Sequence, residues 1–184
     1  MTTYVCLLRG INVGGKNIIA MAALVKTFER MKLSNVKTFI ASGNVVFAAP
    51  AQDLRKLEQK IEKQLVKDFD YDATVVVKSK DEMDAIVRGL PKAWAKATAA
   101  WRYNVIFLRH AVDNAKVLQQ VKVRDGVETL EYKPGVLYWA VRFDQRTKST
   151  VARLNQTALY KEVTIRNLNT TKKLAQLLEE GDDE

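Results

Sequence analysis

Hydrophobic and polar positions along the first part of the chain follow two alternating periodicities, one typical of strands and one typical of helices. The apolar residues of 21–31 and 54–69 recur at helical spacing, whereas the intervening segments are short β-rich runs. The predicted elements are, in order, a strand at 3–9, a helix at 21–31, strands at 36–41 and 44–49 joined tightly through Ser42 and Gly43, a helix at 54–69 and a strand at 73–78. The predicted order is therefore βαββαβ.

A second series of the same kind follows a short helical and alanine-rich stretch. Residues 103–109 resemble residues 4–9 in length, in apolar character and in their terminal arginine. The predicted elements after this strand are a helix capped by Asp113, strands at 127–132 and 136–143 around the turn Lys133-Pro134-Gly135, a helix at 149–159, a strand at 163–166 and a last helix capped by Thr170. The pattern predicts an α+β fold in which two ferredoxin-like βαββαβ halves with antiparallel sheets are duplicated.

Three regions follow from this order of elements. Residues 1–79 form the first ferredoxin-like half, residues 80–102 a helical bridge, and residues 103–184 the second half with an extra C-terminal helix and an acidic tail. Right-handed crossovers make the first and second strands of each half parallel, with the third strand between them. We therefore expect the loop at 10–17 and the turn at 42–44 to lie at the same end of the first sheet.

Composition places the chain among soluble globular proteins. Of its 184 residues, 47% are hydrophobic and 28% are charged, which excludes disordered and collagen-like chains. The longest uncharged apolar run, 18–25, is far shorter than the roughly 20 residues that span a bilayer, so we expect no membrane partner. The single cysteine, Cys6, lies in an apolar strand and is expected to be a buried structural thiol, in a cytoplasmic protein.

The chain is basic, and its charges are unevenly distributed. Thirty basic and 21 acidic residues give a net charge of +9. Five of the acidic residues cluster in 179–184, and without them the net charge is +14. The densest basic stretch, 142–173, holds eight basic residues and two acidic ones, a distribution that attracts anions.

The segment Gly10-Ile11-Asn12-Val13-Gly14-Gly15-Lys16-Asn17 follows a strand and matches the phosphate-loop pattern GxxxxGK. Asn17 stands where a serine or threonine would bind Mg²⁺, which argues against a nucleotide-hydrolysing loop. Two interpretations remain open. Gly14 and Gly15 could form an anion-binding nest of backbone N–H groups, with charge from Lys16 and Arg9, or the segment could only reverse the chain.

A second polar motif joins the strand at 163–166 to the last helix. Arg166 and Asn167 end the strand, and Lys172 and Lys173 follow Thr170 near the start of the helix. Cations at this end oppose the helix dipole by about 0.3–1 kcal/mol, an arrangement that is favourable if an anion binds among them. The alternative is that Thr170 only caps the helix and that both lysines are solvated.

Three motifs together resemble the bacterial family of unknown function DUF1697, over nearly the whole chain. They are LLRGINVGGKN at 7–17, SGNVVF at 42–47 and TIRNLNT at 164–170. The resemblance implies a two-subdomain α+β fold and implies no activity, substrate or cofactor. The residues of this chain that match the motifs are Arg9, Gly10, Asn12, Gly14, Gly15, Ser42, Gly43, Asn44, Arg166, Asn167 and Thr170.

Binding of a small molecule that carries a phosphate or carboxylate is the function these features favour. The predicted ligand-binding residues are Arg9, Gly10, Asn12, Gly14, Gly15, Lys16, Ser42, Asn44, Arg166, Asn167 and Thr170. Of these, Arg9, Lys16 and Arg166 are expected to line one common cleft. The lone histidine, His110, has no Cys or second His at metal-ligand spacing, so no metal site is predicted, and the sequence leaves both catalysis and cofactor undefined.

Two other classes of function remain open. A nucleic-acid-binding, RNA-type module would suit the basic charge, although the third strand of the first half lacks the paired stacking aromatics of RNA-recognition domains. A protein-interaction or assembly role could use Trp94, Trp101, Tyr138 and Trp139 as anchors, although burial would explain these residues equally well.

Overall fold

The computed structural model describes residues 1–96 and 98–180 and divides into two compact units. The first unit holds Met1–Met83 together with the part of the last helix from Lys173 onward, and the second holds Asp84–Lys172. The strands and α-helices are β1 (Thr2–Leu8), α1 (Met21–Arg30), β2 (Ser34–Thr38), β3 (Asn44–Ala49), α2 (Leu54–Phe69), β4 (Val75–Ser79), α3 (Lys80–Arg88), β5 (Trp101–Leu108), β6 (Glu128–Lys133), β7 (Val136–Arg142), β8 (Val163–Asn167) and α4 (Leu168–Glu180). The region boundaries inferred from the sequence stay a prediction.

The first unit contains a four-stranded sheet in the order β2-β3-β1-β4, with every neighbouring pair antiparallel. β1 and β2 are therefore parallel to each other with β3 between them, as expected. The apolar stripes of α1 and α2 pack on one face of this sheet, where Phe28 and Ile61 are fully buried with Phe47. Cys6 is buried in the same core, so the expected burial of this thiol is confirmed.

The outer edge of β4 is covered by carboxylates from α2. Glu58 Oε1 accepts a hydrogen bond from Val77 N at 3.1 Å, and Glu62 Oε1 accepts one from Val75 N at 3.0 Å. Unpaired N–H groups on an edge strand are a template for aggregation, so these side chains satisfy donors that the sheet leaves open. Glu58 is consequently buried although it lies on a highly charged helix.

The second unit repeats the sheet, in the order β6-β7-β5-β8 and again with antiparallel neighbours. The fold is thus a mixed α+β fold with two four-stranded antiparallel sheets. Short 3-10 helices lie at 115–120, 143–148, 151–156 and 158–162. The α-helices expected after Asp113 and at 149–159 are therefore wrong. The interpretation of both halves as ferredoxin-like stays a prediction.

Long-range hydrogen bonds explain why the expected helix after β5 is replaced by a 3-10 turn. The carboxylate of Asp113 accepts from Tyr132 Oη at 3.0 Å and from Gly135 N at 2.8 Å, so it holds the turn between β6 and β7. Asn114 caps the short helix instead, by accepting from Lys116 N at 3.0 Å. The expected capping role of Asp113 is therefore wrong.

Two further local expectations are corrected. β2 ends at Thr38, so β2 and β3 are joined by the five residues 39–43 and not by a tight turn at Ser42 and Gly43 alone. α4 begins at Leu168, and its cap is Asn167, whose Oδ1 accepts from Thr170 N at 2.8 Å. None of the helices within residues 1–96 and 98–180 is both long and apolar enough to cross a membrane.

Candidate functional site

The glycine-rich loop after β1 forms a miniature hairpin. Val13 and Lys16 pair across it, with Lys16 N donating to Val13 O at 3.1 Å. Gly14 and Gly15 at its tip have φ angles of +59° and +72°, the two successive positive values that define a type I′ turn. Successive backbone N–H groups in a turn can form an anion-binding nest. Both glycines are exposed, and the expected nest at Gly14 and Gly15 stays a prediction.

One amide side chain holds this loop in place. Asn12 Nδ2 donates to Ile19 O at 3.0 Å and to Ala41 O at 2.9 Å, while its Oδ1 accepts from Ile19 N at 2.8 Å. The loop after β1 thus lies beside the loop between β2 and β3, which confirms the neighbourhood expected from the parallel arrangement of β1 and β2. Because these contacts occupy both polar atoms of Asn12, its role is to position the loop.

The second loop of the pair is shaped by Gly43 and Asn44. Gly43 has φ +78°, and a Cβ there would lie 2.8 Å from Leu8 Cβ and 3.0 Å from the side chain of Ile11. Asn44 is fully buried, and its Nδ2 donates to Phe39 O at 2.9 Å and to Ser42 Oγ at 3.1 Å. Ser42 and Asn44 therefore stabilise the loop from inside.

The exposed groups of the loop pair include backbone donors and one cation, beside the apolar side chains of Val13, Ile18 and Ile40. Gly10, Gly14, Gly15 and Lys16 are exposed, and the N–H groups of Gly14 and Gly15 donate no hydrogen bond to the described residues. Behind them, Tyr71 Oη donates to the carbonyl oxygen of Arg9. Burial raises the pKa of Tyr71 to about 12, so this hydroxyl keeps its proton and the contact persists at neutral pH.

The motif at the end of β8 is partly structural. Arg166 is only 8% exposed, and its Nη1 donates to Thr164 Oγ1 at 2.7 Å and to Ile165 O at 2.9 Å. Asn167 is exposed and caps α4, whereas Thr170 supplies a capped N–H group in the first turn. Arg9 and Lys16 belong to the first unit and Arg166 to the second, so a common cleft stays a prediction.

An open groove of about 410 Å³ lies at the start of α4, within the second unit. Its lining residues come from the start of β5 and from the junction of β8 with α4, and they are Thr98, Trp101, Arg102, Tyr103, Asn167, Leu168 and Asn169. The antiparallel pairing of Asn104 with Asn167 brings these two segments together. Of the predicted ligand-binding residues, Asn167 is the one that lines this groove.

Sequence analysis missed the β5 side of the groove. Arg102 is exposed, and its guanidinium carbon lies 4.3 Å from the centroid of the Phe143 ring, a cation–π contact that restrains it. Tyr103 Oη accepts a weak hydrogen bond from Thr98 N at 3.4 Å. The sequence feature that could have indicated this side of the groove is a cation, Arg102, between two aromatic residues, Trp101 and Tyr103, at the beginning of a strand.

The aromatic residues considered as partner contacts are not all at the surface. Trp94 and Tyr138 are buried, with ring centroids 5.7 Å apart, and Tyr138 Oη donates to Ile86 O at 2.6 Å. Trp101 and Trp139 are half-buried. In the part of the chain that the structure describes, no group of three or more His, Cys, Asp or Glu side chains is arranged to hold a metal ion.

Comparison with known proteins covers both units. The model of the family described as "Protein of unknown function (DUF1697)" matches residues 1–138. The chain is also similar to the solved structure of a conserved bacterial protein from Streptococcus pneumoniae, with 28% sequence identity, a TM-score of 0.82 and coverage of 96% of this chain and 98% of that one. No curated protein matches the chain.

Proposed function

The chain belongs to the DUF1697 family, whose model matches residues 1–138, and we propose that it binds a small molecule bearing a phosphate or carboxylate in the groove at the start of α4. One observation carries this proposal. The cationic side chain of Arg102 and the first residues of α4 line the same groove. The family description names no activity, so only the chain's own residues point to a ligand.

The start of α4 supplies the electrostatic part of the site. The first N–H groups of an α-helix have no acceptor within the helix, and the helix dipole places partial positive charge there. Leu168 and Asn169, the first residues of α4, line the groove, and exposed Lys172 follows one turn later. A phosphate or carboxylate in the groove would be stabilised by these groups together with Arg102.

The remaining lining residues suit the other end of such a ligand. Trp101 and Tyr103 offer aromatic surface, and the exposed amide of Asn169 offers both a donor and an acceptor. We therefore favour an anion attached to an apolar or ring-containing part over a free inorganic ion. These groups bind and orient a ligand, so the proposal is binding and assigns no reaction.

The glycine-rich loop of the first unit is included as a second contact surface for anions. Lys16 and the N–H groups of Gly14 and Gly15 are its available donors, whereas Asn12 shapes the loop. This surface lacks the walls that the groove provides, and we assign it the weaker affinity.

Thermal-shift screening followed by calorimetric titration tests the proposal. The panel is inorganic phosphate, pyrophosphate, nucleoside monophosphates, sugar phosphates and aromatic carboxylates. A ligand present at about 100 times its Kd stabilises the protein by about 2.7 kcal/mol. Arg102→Gln should weaken the affinity for a ligand found in the screen at least about tenfold, since a hydrogen bond to a charged group contributes about 1.5–3 kcal/mol.

Lys16→Gln is the matched control, since it removes the same charge from the other surface. It should leave the affinity of the hit unchanged. A ligand whose affinity falls with Lys16→Gln and not with Arg102→Gln would place binding at the glycine-rich loop and refute the groove. A panel without any hit would refute small-anion binding at both surfaces.

A further inference from the structure

The exposed side of α2 carries a straight row of four lysines, Lys56, Lys60, Lys63 and Lys67, here called the lysine stripe. Their spacing of four, three and four residues places them within an arc of about 60° and along about 16 Å of the helix axis. All four are exposed, and their side chains make no ion pair or hydrogen bond with the described residues.

The carboxylates of α2 are turned away from the stripe. Glu58 and Glu62 bind the backbone N–H groups of Val77 and Val75 at the edge of the first sheet. Asp68 accepts hydrogen bonds from Thr27, Arg30 and Gln64 on its own side of the helix. The three acidic residues of α2 thus leave the positive charge of the stripe without compensation.

Lysines three and four positions apart on a helix repel each other. The stripe contains three such neighbouring pairs, so it opposes helix formation and contributes nothing to the core. The fold tolerates it because the opposite face of α2 is anchored by Leu57, Ile61 and Leu65, which are fully buried. An extended anion bound along the row would relieve this repulsion.

We propose that the lysine stripe binds the phosphodiester backbone of a nucleic acid, independently of the groove at the start of α4. The stripe is one side chain wide, so its shape matches a linear row of phosphates. Gln59 lies beside it and can donate a hydrogen bond to a phosphate oxygen. The stripe contains no aromatic side chain that could stack on a base, so binding is expected to depend little on sequence.

The burial of the apolar face of α2 argues against a membrane as the partner. Helices that bind at a bilayer surface insert their apolar face among the lipid chains. The apolar face of α2 is already packed in the core of the first unit, with Leu57, Ile61 and Leu65 each at most 1% exposed. Apart from Val66, which is 46% exposed, the exposed side of α2 is polar and dominated by the charge of the lysines.

The salt dependence of DNA binding tests the stripe. Fluorescence anisotropy of a fluorescein-labelled DNA duplex of about 20 base pairs gives the observed association constant between about 50 and 200 mM salt. Each phosphate contact contributes about −0.9 to the slope of log K against log salt, so four contacts predict a slope of about −3.6. The double variant Lys60→Ala/Lys63→Ala loses two of these contacts, so the magnitude of the slope should fall by about 1.8.

The control is Lys92→Ala/Lys116→Ala, which removes two exposed lysines of the second unit and the same net charge. It should leave the slope unchanged. Alanine favours helix formation, and circular dichroism should show α2 intact in the stripe variant. An equal decrease of the slope in both double variants would overturn the proposal. So would the absence of duplex binding at 50 mM salt and about 100 µM protein.

Vesicles containing phosphatidylserine form the second arm of the experiment. Binding to these vesicles without binding to the duplex would also overturn the proposal. A smaller slope for duplex binding in the stripe variant, with no change in the control variant, supports the proposal. This outcome does not depend on the small-anion panel, because the stripe variant leaves Arg102 and the groove unchanged.

Discussion

Asn12 donates a hydrogen bond from its Nδ2 atom to the carbonyl oxygen of Ala41 at 2.9 Å, although the two residues are 29 positions apart. The same amide group binds both the N–H and the carbonyl group of Ile19. One side chain therefore joins the glycine-rich loop to its own return segment and to the neighbouring loop. Together with the backbone hydrogen bond from Asn12 N to Asn17 O, these contacts fix the loop that carries Lys16.

Asn12→Ala should lower the free energy of unfolding by about 2–3 kcal/mol, because three hydrogen bonds of about 1 kcal/mol each are lost. The replacement also strains the backbone, since Asn12 has φ +54°. Asn17→Ala is the matched control, because Asn17 has φ +48° and makes one side-chain hydrogen bond, to Gly10 O. If urea unfolding shows equal losses of unfolding free energy for the two variants, the tethering role of Asn12 is contradicted.

Gly43→Ala should destabilise the protein by at least about 2 kcal/mol. The new methyl group would lie 2.8 Å from Leu8 Cβ, and alanine disfavours the φ of +78°. Gly14→Ala separates the two causes, since Gly14 has φ +59° and open space around it. Thermal unfolding should therefore show about 1 kcal/mol of loss for Gly14→Ala from backbone strain alone. If Gly43→Ala costs no more than that, the close approach to Leu8 is unimportant.

Glu128 should make the stability of the protein depend on pH in the acid range. Burial alone would raise the pKa of this carboxyl, but hydrogen bonds from Ser149, Thr150 and Val151 outweigh burial and hold the pKa below its ordinary value of 4.5. A lowered pKa in the folded state gives stability that is present above the unfolded pKa and lost as pH falls through the folded value. Urea unfolding between about pH 7 and pH 3 should show this loss.

Glu128→Gln should remove that contribution. The amide replaces an acceptor oxygen with a donor among N–H groups, so we expect a loss of about 1.5–3 kcal/mol at pH 7 and a weaker dependence on pH below about 4.5. Glu131→Gln, at a half-exposed carboxyl of the same strand, should leave the pH profile nearly unchanged. Identical profiles for wild type and Glu128→Gln would show that Glu128 does not drive the acid sensitivity.

Lys78→Met should leave the stability unchanged or raise it by about 1 kcal/mol. The side chain of Lys78 is fully buried, its Nζ makes no hydrogen bond to any described residue, and its ion-pair partner Glu82 Oε1 is 3.7 Å away. A buried charge with this little compensation costs more to desolvate than it gains, and methionine fills a similar volume. Lys78→Ala, which leaves a cavity, should instead lower the unfolding free energy. A loss above about 1 kcal/mol for Lys78→Met would show that the ammonium group is stabilising.

Several elements could be predicted closely from the sequence. β3 and α2 were predicted at 44–49 and 54–69, and the structure has them at Asn44–Ala49 and Leu54–Phe69. Both segments have strong periodicity, and burying their apolar positions leaves one choice of secondary structure. The helix expected at 149–159 failed because Glu128 binds the backbone of Thr150 from 22 positions away, a constraint that local periodicity does not contain.

The sequence by itself determined the order of the strands, the helices of the first unit, the two antiparallel sheets and the meeting of the two loops after β1 and β2. Hydrophobic periodicity and the right-handedness of crossovers act locally and decide these features before any side chain has a partner. The tertiary structure decided that Asn12 tethers two loops, that Arg102 lies beside α4, and that Glu58 binds the edge of β4. Each of these contacts joins distant segments, and its geometry depends on how the whole unit packs.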